Sequence, residues 1–282
     1  MCRRGEKNTM NDAADIKPRS QRGRLLRDYD IKEIDNPDKR CWWHLRYMER
    51  IQATMLTATS DVCAPALILE IGASQANMSL MLAEAGYATV ALDISLQALQ
   101  YAGQKWEKGL FLPLVGDAVR LPLGDAVADV VLLPEVLEHI PDPLHVLAEA
   151  RRVVKPAGRI VLTTPNTFYL TEKLPDYVKG QKPATDELGP EGHHHLYAFS
   201  HRTLRELAAE ADLVTVSARY VGSVIHSKYL RWLYRLFPTH LALAFGRLIN
   251  ATPLLRHRLS QTCLMVFTPQ DGGRTNIGHN CG

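Results

Sequence analysis

Between residues 66 and 166 five short apolar runs alternate with stretches of helical periodicity, and no other feature narrows the fold as much. The runs are "ALILEI", "YATVALDI", "LFLPLVGD", "DVVLLPEV" and "GRIVLTTP". Among them lie "NMSLMLAEAG", "SLQALQYAGQKWEK" and "DPLHVLAEARRVVKPAG". Strands that are apolar throughout and separated by helices belong to a parallel sheet covered on both faces. The punctuation agrees: Asn77 is the expected N-cap of the first helix and Gly86 its stop, and Ser95 caps the second. "PDP" opens the third helix, and "KPAG" is a turn that ends it. In such sheets ligands bind beyond the carboxyl ends of the strands.

The flanking regions set the domain limits. Residues 1–35 are polar, basic and without hydrophobic periodicity, which predicts a disordered tail. Apolar residues at helical spacing (Trp42, Leu45, Met48, Ile51, Met55) predict a helix leading into a single domain over 36–270. After the fifth strand come a polar loop, the helical pattern "SHRTLRELAAEADL", and the strands "LVTVSARYV" and "TCLMVFTP". About forty residues separate those two strands, too many for a hairpin loop, and 222–260 reads as a helical lid insertion. Residues 271–282 read as a flexible tail. At 46% hydrophobic and 22% charged the chain is ordinary globular material. A net charge of +3, much of it in the first thirty residues, speaks against a dominant polyanion-binding role. The five scattered cysteines form no CxxC pair and read as reduced thiols. A polar start without an apolar core, and no apolar run near the ~20 residues of a spanning helix, point to a cytoplasmic protein.

Each predicted strand ends on a polar residue that a core does not require. The first ends at Glu70, the second at Asp93, the third at Asp117, and the fourth leads into Glu135, Glu138 and His139. An acidic residue about twenty positions beyond the turn glycine suits a contact to ribose hydroxyls. One such residue is ordinarily a helix cap or a solvated end; three in register on successive strands point to a ligand.

With "LEIGASQAN", "ALDIS", "VGDAVRLPL", "ADVVLLPEVLEHIPDP" and "RRVVKPAGRIVLTTPN" in this order, residues 64–215 resemble the class I S-adenosylmethionine-dependent methyltransferases, in particular small-molecule enzymes of type 11. The resemblance implies a Rossmann-like, doubly wound α/β fold. Its sheet would have seven mostly parallel strands with an antiparallel last strand, and helices on both faces. It implies S-adenosylmethionine as cofactor. Glu70, Gly72, Ala73, Ser74 and Asn77 would lie in the first motif beside the methionine part. Asp93 would hold the ribose with Ile94 next to it, Asp117 the adenine amino group with Ala118 against the ring, and Pro134 and Glu135 would close the end of strand four. Ser74 and Ala76 stand where dinucleotide-binding loops carry glycine. The second glycine of those loops admits a pyrophosphate, and this cofactor has none, so a small side chain suffices.

Methyl transfer is an in-line displacement that alignment and desolvation can drive. "EVLEH" places Glu135, Glu138 and His139 at i, i+3 and i+4, on one face if helical, and His193, His194 and His195 follow later. The favoured reading takes Glu138, His139 and His195 as catalytic or substrate-orienting groups without a metal. The alternative makes Glu135, Glu138, His139 and His195 ligands of a divalent ion. It rests on resemblance to the ubiquinone-pathway catechol O-methyltransferases and to the small-RNA 3′-terminal 2′-O-methyltransferases. The late aromatic and basic stripe (Tyr229, Trp232, Leu233, Leu236 and Phe237, with Arg231 and Arg235) reads as an apolar lid, or else as a peripheral membrane contact.

The expected function is transfer of a methyl group to a hydroxyl, rather than nitrogen or carbon, of a small hydrophobic or lipid-linked molecule. No obligate protein partner or nucleic acid is inferred. The rival functions are a metal-dependent RNA 2′-O-methyltransferase and a non-catalytic cofactor-binding scaffold.

Overall fold

The computed structural model describes residues 50, 53–169, 172, 174–180, 195–222, 244, 248 and 251–270. Helix α1 (residues 53–59) precedes β1 (Leu67–Ile71), α2 (Asn77–Glu84), β2 (Ala88–Asp93), α3 (Leu96–Lys105) and β3 (Leu110–Val115). Then come β4 (Ala128–Pro134), a single 3-10 turn (Leu137–His139), α4 (Pro143–Val153) and β5 (Val154–Pro165). The described chain ends with α5 (His201–Glu210), β6 (Leu213–Val221), α6 (Pro253–Leu259) and β7 (Thr262–Pro269).

The seven strands form one sheet in the order β3-β2-β1-β4-β5-β7-β6. Strands β1 to β5 pair parallel, and β7 pairs antiparallel with both β5 and β6. This is the expected mixed sheet with its antiparallel last strand. The order reverses direction between β1 and β4, so the carboxyl ends of these two strands flank a crevice. Ile68, Leu69, Val130, Val131, Leu132, Leu133, Val161 and Leu162 are at most 1% exposed, because helices cover both faces of these strands. Burying each such side chain contributes about 1.5–3 kcal/mol.

The edge strand β3 departs from the reading of strands covered on both sides. Leu110 and Leu112 are 65% and 55% exposed. Leu110 O faces β2, where Thr89 Oγ1 donates to it at 3.1 Å, and Gly116 N donates to Asp93 O at 3.1 Å. The odd-numbered residues therefore turn their backbone groups outward, and Pro113 sits where its missing N–H costs no ladder bond.

Three local expectations are corrected. Asn77 is not the N-cap: Ala76 holds that position, in the left-handed region with no side-chain cap. "KPAG" is not a turn. Strand β5 starts at Val154 directly after α4, and a register shift between Ala128 and Val130 absorbs the irregularity. Gly158 lies at that shift, where a Cβ would come within 2.7 Å of Asp129 O. Cys63 is disulfide-bonded, against the reading of reduced thiols, whereas Cys263 is free and buried. Ser95 caps α3, Asp142 with Pro143 opens α4, and Gly86 follows α2 at φ 98°, as expected. Trp42, Leu45, Met48 and Ile51, the stripe at Tyr229 to Phe237, His193, His194 and both terminal tails lie outside the described residues.

Candidate active site

The loop after β1 keeps a glycine-loop backbone with a single glycine. Gly72, Ser74 and Ala76 have φ of 70°, 49° and 52°. A Cβ on Gly72 would stand 2.6 Å from Val136 Cγ2, so this position also needs glycine for space. Two bonds hold the loop: Ala73 N donates to Leu92 O at 3.0 Å, and Ser74 N to Asp93 Oδ2 at 2.7 Å. The left-handed region costs a residue with a Cβ roughly 1–2 kcal/mol. Ala76 offsets this with a methyl fully buried beside Leu80, but Ser74 is exposed. Ser74→Gly is therefore expected to stabilise the protein by up to about 1 kcal/mol, measured as a rise in denaturation midpoint; an unchanged or lower midpoint contradicts the strain.

Behind the loop lies a buried polar layer. Glu70 Oε2 accepts from Ser79 N at 2.9 Å and from Ser79 Oγ at 2.6 Å. Burial pushes the Glu70 carboxyl up to about 7, although the two Ser79 bonds pull it down. Asn77 Oδ1 accepts from Lys105 Nζ at 2.6 Å, which brings a buried cation from the end of α3 under the loop.

In front of the loop a small cleft open to solvent is lined by Glu70, Gly72, Ala73, Ser74, Asn77 and Pro134 from the expected set, together with Arg50, Thr54, Gln75 and Met78. Asp93 stands at the end of β2. Each of its oxygens accepts one backbone bond, Oδ2 from Ser74 N and Oδ1 from Ser95 N at 2.8 Å. Each retains a lone-pair direction for a further donor. Ile94 is 75% exposed beside it, an apolar surface without cover. Asp117 is exposed, its Oδ1 accepting from Val119 N at 3.0 Å, and Ala118 is half-buried. The connection carrying both is pinned by Arg152, which donates to Leu121 O, Leu123 O, Asp125 and Glu149.

The "EVLEH" segment is not a helical face. Glu135 has φ 56°, and only Leu137–His139 forms a turn. Glu135 therefore points away from the histidines and pairs with Arg50 at 3.0 Å, leaving its Oε1 buried without a partner. Glu138 is fully buried, and Thr164 Oγ1 donates to its Oε2 at 2.9 Å, while Oε1 has no partner. Burial, and next the neighbouring Glu135, hold its carboxyl well above the usual range. The His139 and His195 rings meet edge to face at 4.8 Å, and Glu138, His139 and His195 bring ligand-capable atoms within 4.8 Å of one another. Leu196 N donates to Glu138 O at 2.7 Å, which brings the segment of His195 to this turn. Of the four residues of the metal alternative, Glu138, His139 and His195 converge and Glu135 does not.

Sequence reasoning missed Arg50, Gln75, Lys105 and Thr164. Only Thr164 carried a visible signal, as a polar residue at the end of an apolar strand.

A sheet in this order, with acids at or beyond the ends of β1, β2 and β3, is a Rossmann-like arrangement similar to that of the class I S-adenosylmethionine-dependent methyltransferases. Residues 69–162 match a family described as a methyltransferase domain. Over 120 residues the chain is 40% identical to a demethylmenaquinone methyltransferase of Streptomyces avermitilis, covering 38% of this chain and 51% of that protein. Over 218 residues it is 26% identical to an uncharacterised methyltransferase of Mycobacterium bovis, covering 72% and 76%. The chain spans about half the length or less of the demethylmenaquinone methyltransferases that it matches. Among solved structures, a Haloferax volcanii methyltransferase in complex with the Trm112 activator superposes with a TM-score of 0.55 at 20% identity, covering 79% of this chain and 90% of that one. No described helix is long and apolar enough to cross a membrane.

Proposed function

We propose that this chain methylates a hydroxyl of a small hydrophobic or lipid-linked acceptor at the Glu138–His139–His195 turn. The observation that carries this reading is the convergence of these three side chains just beyond β4, whose last residue Pro134 lines the cleft. Relatives named as demethylmenaquinone methyltransferases support a small-molecule acceptor.

The polar groups around the cleft suit S-adenosylmethionine. Gln75 Oε1 lies buried without a partner, an acceptor suited to the ligand's ammonium group. Asp93 keeps acceptor capacity for ribose hydroxyls, and the bare Ile94 offers a face for adenine. When bound, the cofactor supplies an electrophilic sulfonium methyl. His139 would take the proton of an acceptor hydroxyl beside it, and the cofactor would supply the methyl group and keep the C–S bonding electrons. Glu138 and Thr164 fix the turn that presents His139.

The same donor set supports a second reading, in which Glu138, His139 and His195 hold a divalent ion. A buried carboxylate oxygen without a partner beside two imidazoles suits a first-row transition metal. The ion would orient the hydroxyl and favour its alkoxide.

One experiment separates these readings. Labelled methyl transfer to hydroxylated aromatic acceptors is followed with and without chelator, alongside calorimetry of S-adenosylhomocysteine binding. Under the metal-free reading chelator changes nothing and His139→Ala lowers kcat by about a hundredfold or more. Loss with chelator and recovery with Mn²⁺ establishes the metal reading. Absence of S-adenosylhomocysteine binding overturns both and leaves a scaffold.

A further inference from the structure

Between Leu213 and Gln270 the chain has seven Lys and Arg and no Asp or Glu; the rest holds 26 basic and 30 acidic residues. This stretch, more than the N-terminal tail, makes the chain basic. Of its described part, Arg256 and Arg258 lie exposed on α6, on either side of Leu255 on the helical wheel. Leu255 and Leu248 are 49% and 63% exposed. Arg205 on α5 joins the group. The Arg205 and Arg256 guanidinium groups both act on His201 and Tyr220, whose rings stack at 4.1 Å. Burial first, and then these two arginines, push His201 down to about 4, so the positive charge here belongs to arginine and persists at any physiological pH. None of Arg205, Arg256 and Arg258 has an ion-pair partner among the described residues, whereas Arg152 and Arg202 do.

The face adjoins the candidate site. Asn166, at the end of β5, donates through Nδ2 to His257 O and Ser260 O, both at 2.8 Å, and so fixes the carboxyl end of α6. Two residues earlier on the same strand Thr164 holds Glu138.

We propose that Arg205, Arg256 and Arg258, with the exposed Leu248 and Leu255, dock this protein on an anionic lipid surface. The guanidinium groups meet headgroup phosphates, and the leucines enter the boundary between headgroups and acyl chains. Cations without acidic partners beside bare leucines complement that surface on both counts. Docking stands apart from the methyl-transfer reading, but it would let a lipid-linked acceptor reach the site without leaving the bilayer.

The test is flotation of the full chain with phosphatidylcholine vesicles, with and without phosphatidylglycerol, over a range of salt. Binding is expected only to the anionic vesicles and should weaken as salt rises. Each of R205Q, R256Q and R258Q should lower the partition coefficient about fivefold, and the triple variant about a hundredfold. Arg202→Gln, on α5 but paired with Glu206, should leave it unchanged. Melting curves and S-adenosylhomocysteine binding of each variant report folding and the cofactor cleft separately from docking. Equal binding to neutral and anionic vesicles, no binding to either, or a triple variant that binds like the parent overturns the proposal. A triple variant that instead loses affinity for single-stranded RNA, with vesicles unbound throughout, assigns the face to nucleic acid and overturns it as well.

Discussion

Glu70→Gln is expected to stabilise the protein at pH 8 by roughly 3 kcal/mol, and hardly at all at pH 4.5. Burial raises the Glu70 carboxyl from 4.5 to about 7 in the folded state. A carboxyl raised on folding binds its proton more tightly when native. Its stabilising contribution is therefore complete below pH 4.5 and is lost as pH climbs to 7. That gap corresponds to roughly 3 kcal/mol at 1.36 kcal/mol per unit. Glutamine keeps an acceptor oxygen for Ser79 N and Ser79 Oγ and removes the charge. Urea denaturation of both proteins at the two pH values measures the difference, and an equal effect at both would discard the explanation. Under the proposed function the gain has a functional cost. S-Adenosylmethionine carries a sulfonium charge that S-adenosylhomocysteine lacks, so the variant should lose more affinity for the former. A cleft that keeps a buried carboxylate despite this penalty is suited to a cation.

Gly72→Ala should destabilise the protein by about 2–5 kcal/mol and weaken cofactor binding with it. Two costs combine. A Cβ at φ 70° meets the left-handed penalty of roughly 1–2 kcal/mol, and its 2.6 Å approach to Val136 Cγ2 adds overpacking of about 1–3 kcal/mol. Val136→Ala alone leaves a cavity and should destabilise. In the double variant it removes the collision, so the two changes should offset each other by about 1–3 kcal/mol, leaving the backbone penalty. Melting of the four proteins closes the cycle. Simple additivity would show that the loop and the end of β4 do not share this space.

The strand ends were legible because the runs of β1, β2 and β4 are mainly apolar until Glu70, Asp93 and, just beyond Pro134, Glu135, so a carboxylate there breaks the pattern. The sheet's antiparallel finish was not legible in the residues around "TCLMVFTP" themselves; it followed from the family resemblance. Nor was the conformation of "EVLEH" legible. Spacing assumes a helix, whereas Glu135 adopts φ 56° and sends its side chain to Arg50. Asn77 looks like a cap by type, yet a buried Lys105, twenty-eight positions away, claims its oxygen. "KPAG" looks like a turn because Pro and Gly punctuate most chains. Here the glycine instead serves a strand pressed against Asp129 O. Each miss has one origin: a partner distant in sequence outweighed a local preference.

The position of β7 has a consequence for synthesis. It is the last of the seven described strands to leave the ribosome, yet it lies between β5 and β6. Until Thr262–Pro269 emerges, β6 has no neighbour and β5 offers a bare edge to any extended chain nearby. The crevice between β1 and β4, by contrast, has its strands in place once residue 165 is out. The nascent protein thus passes through an interval in which the cofactor half of the sheet is complete and the acceptor half is open. During that interval an early ligand or a chaperone acts on an unfinished molecule, and a premature stop before Thr262 would leave it so.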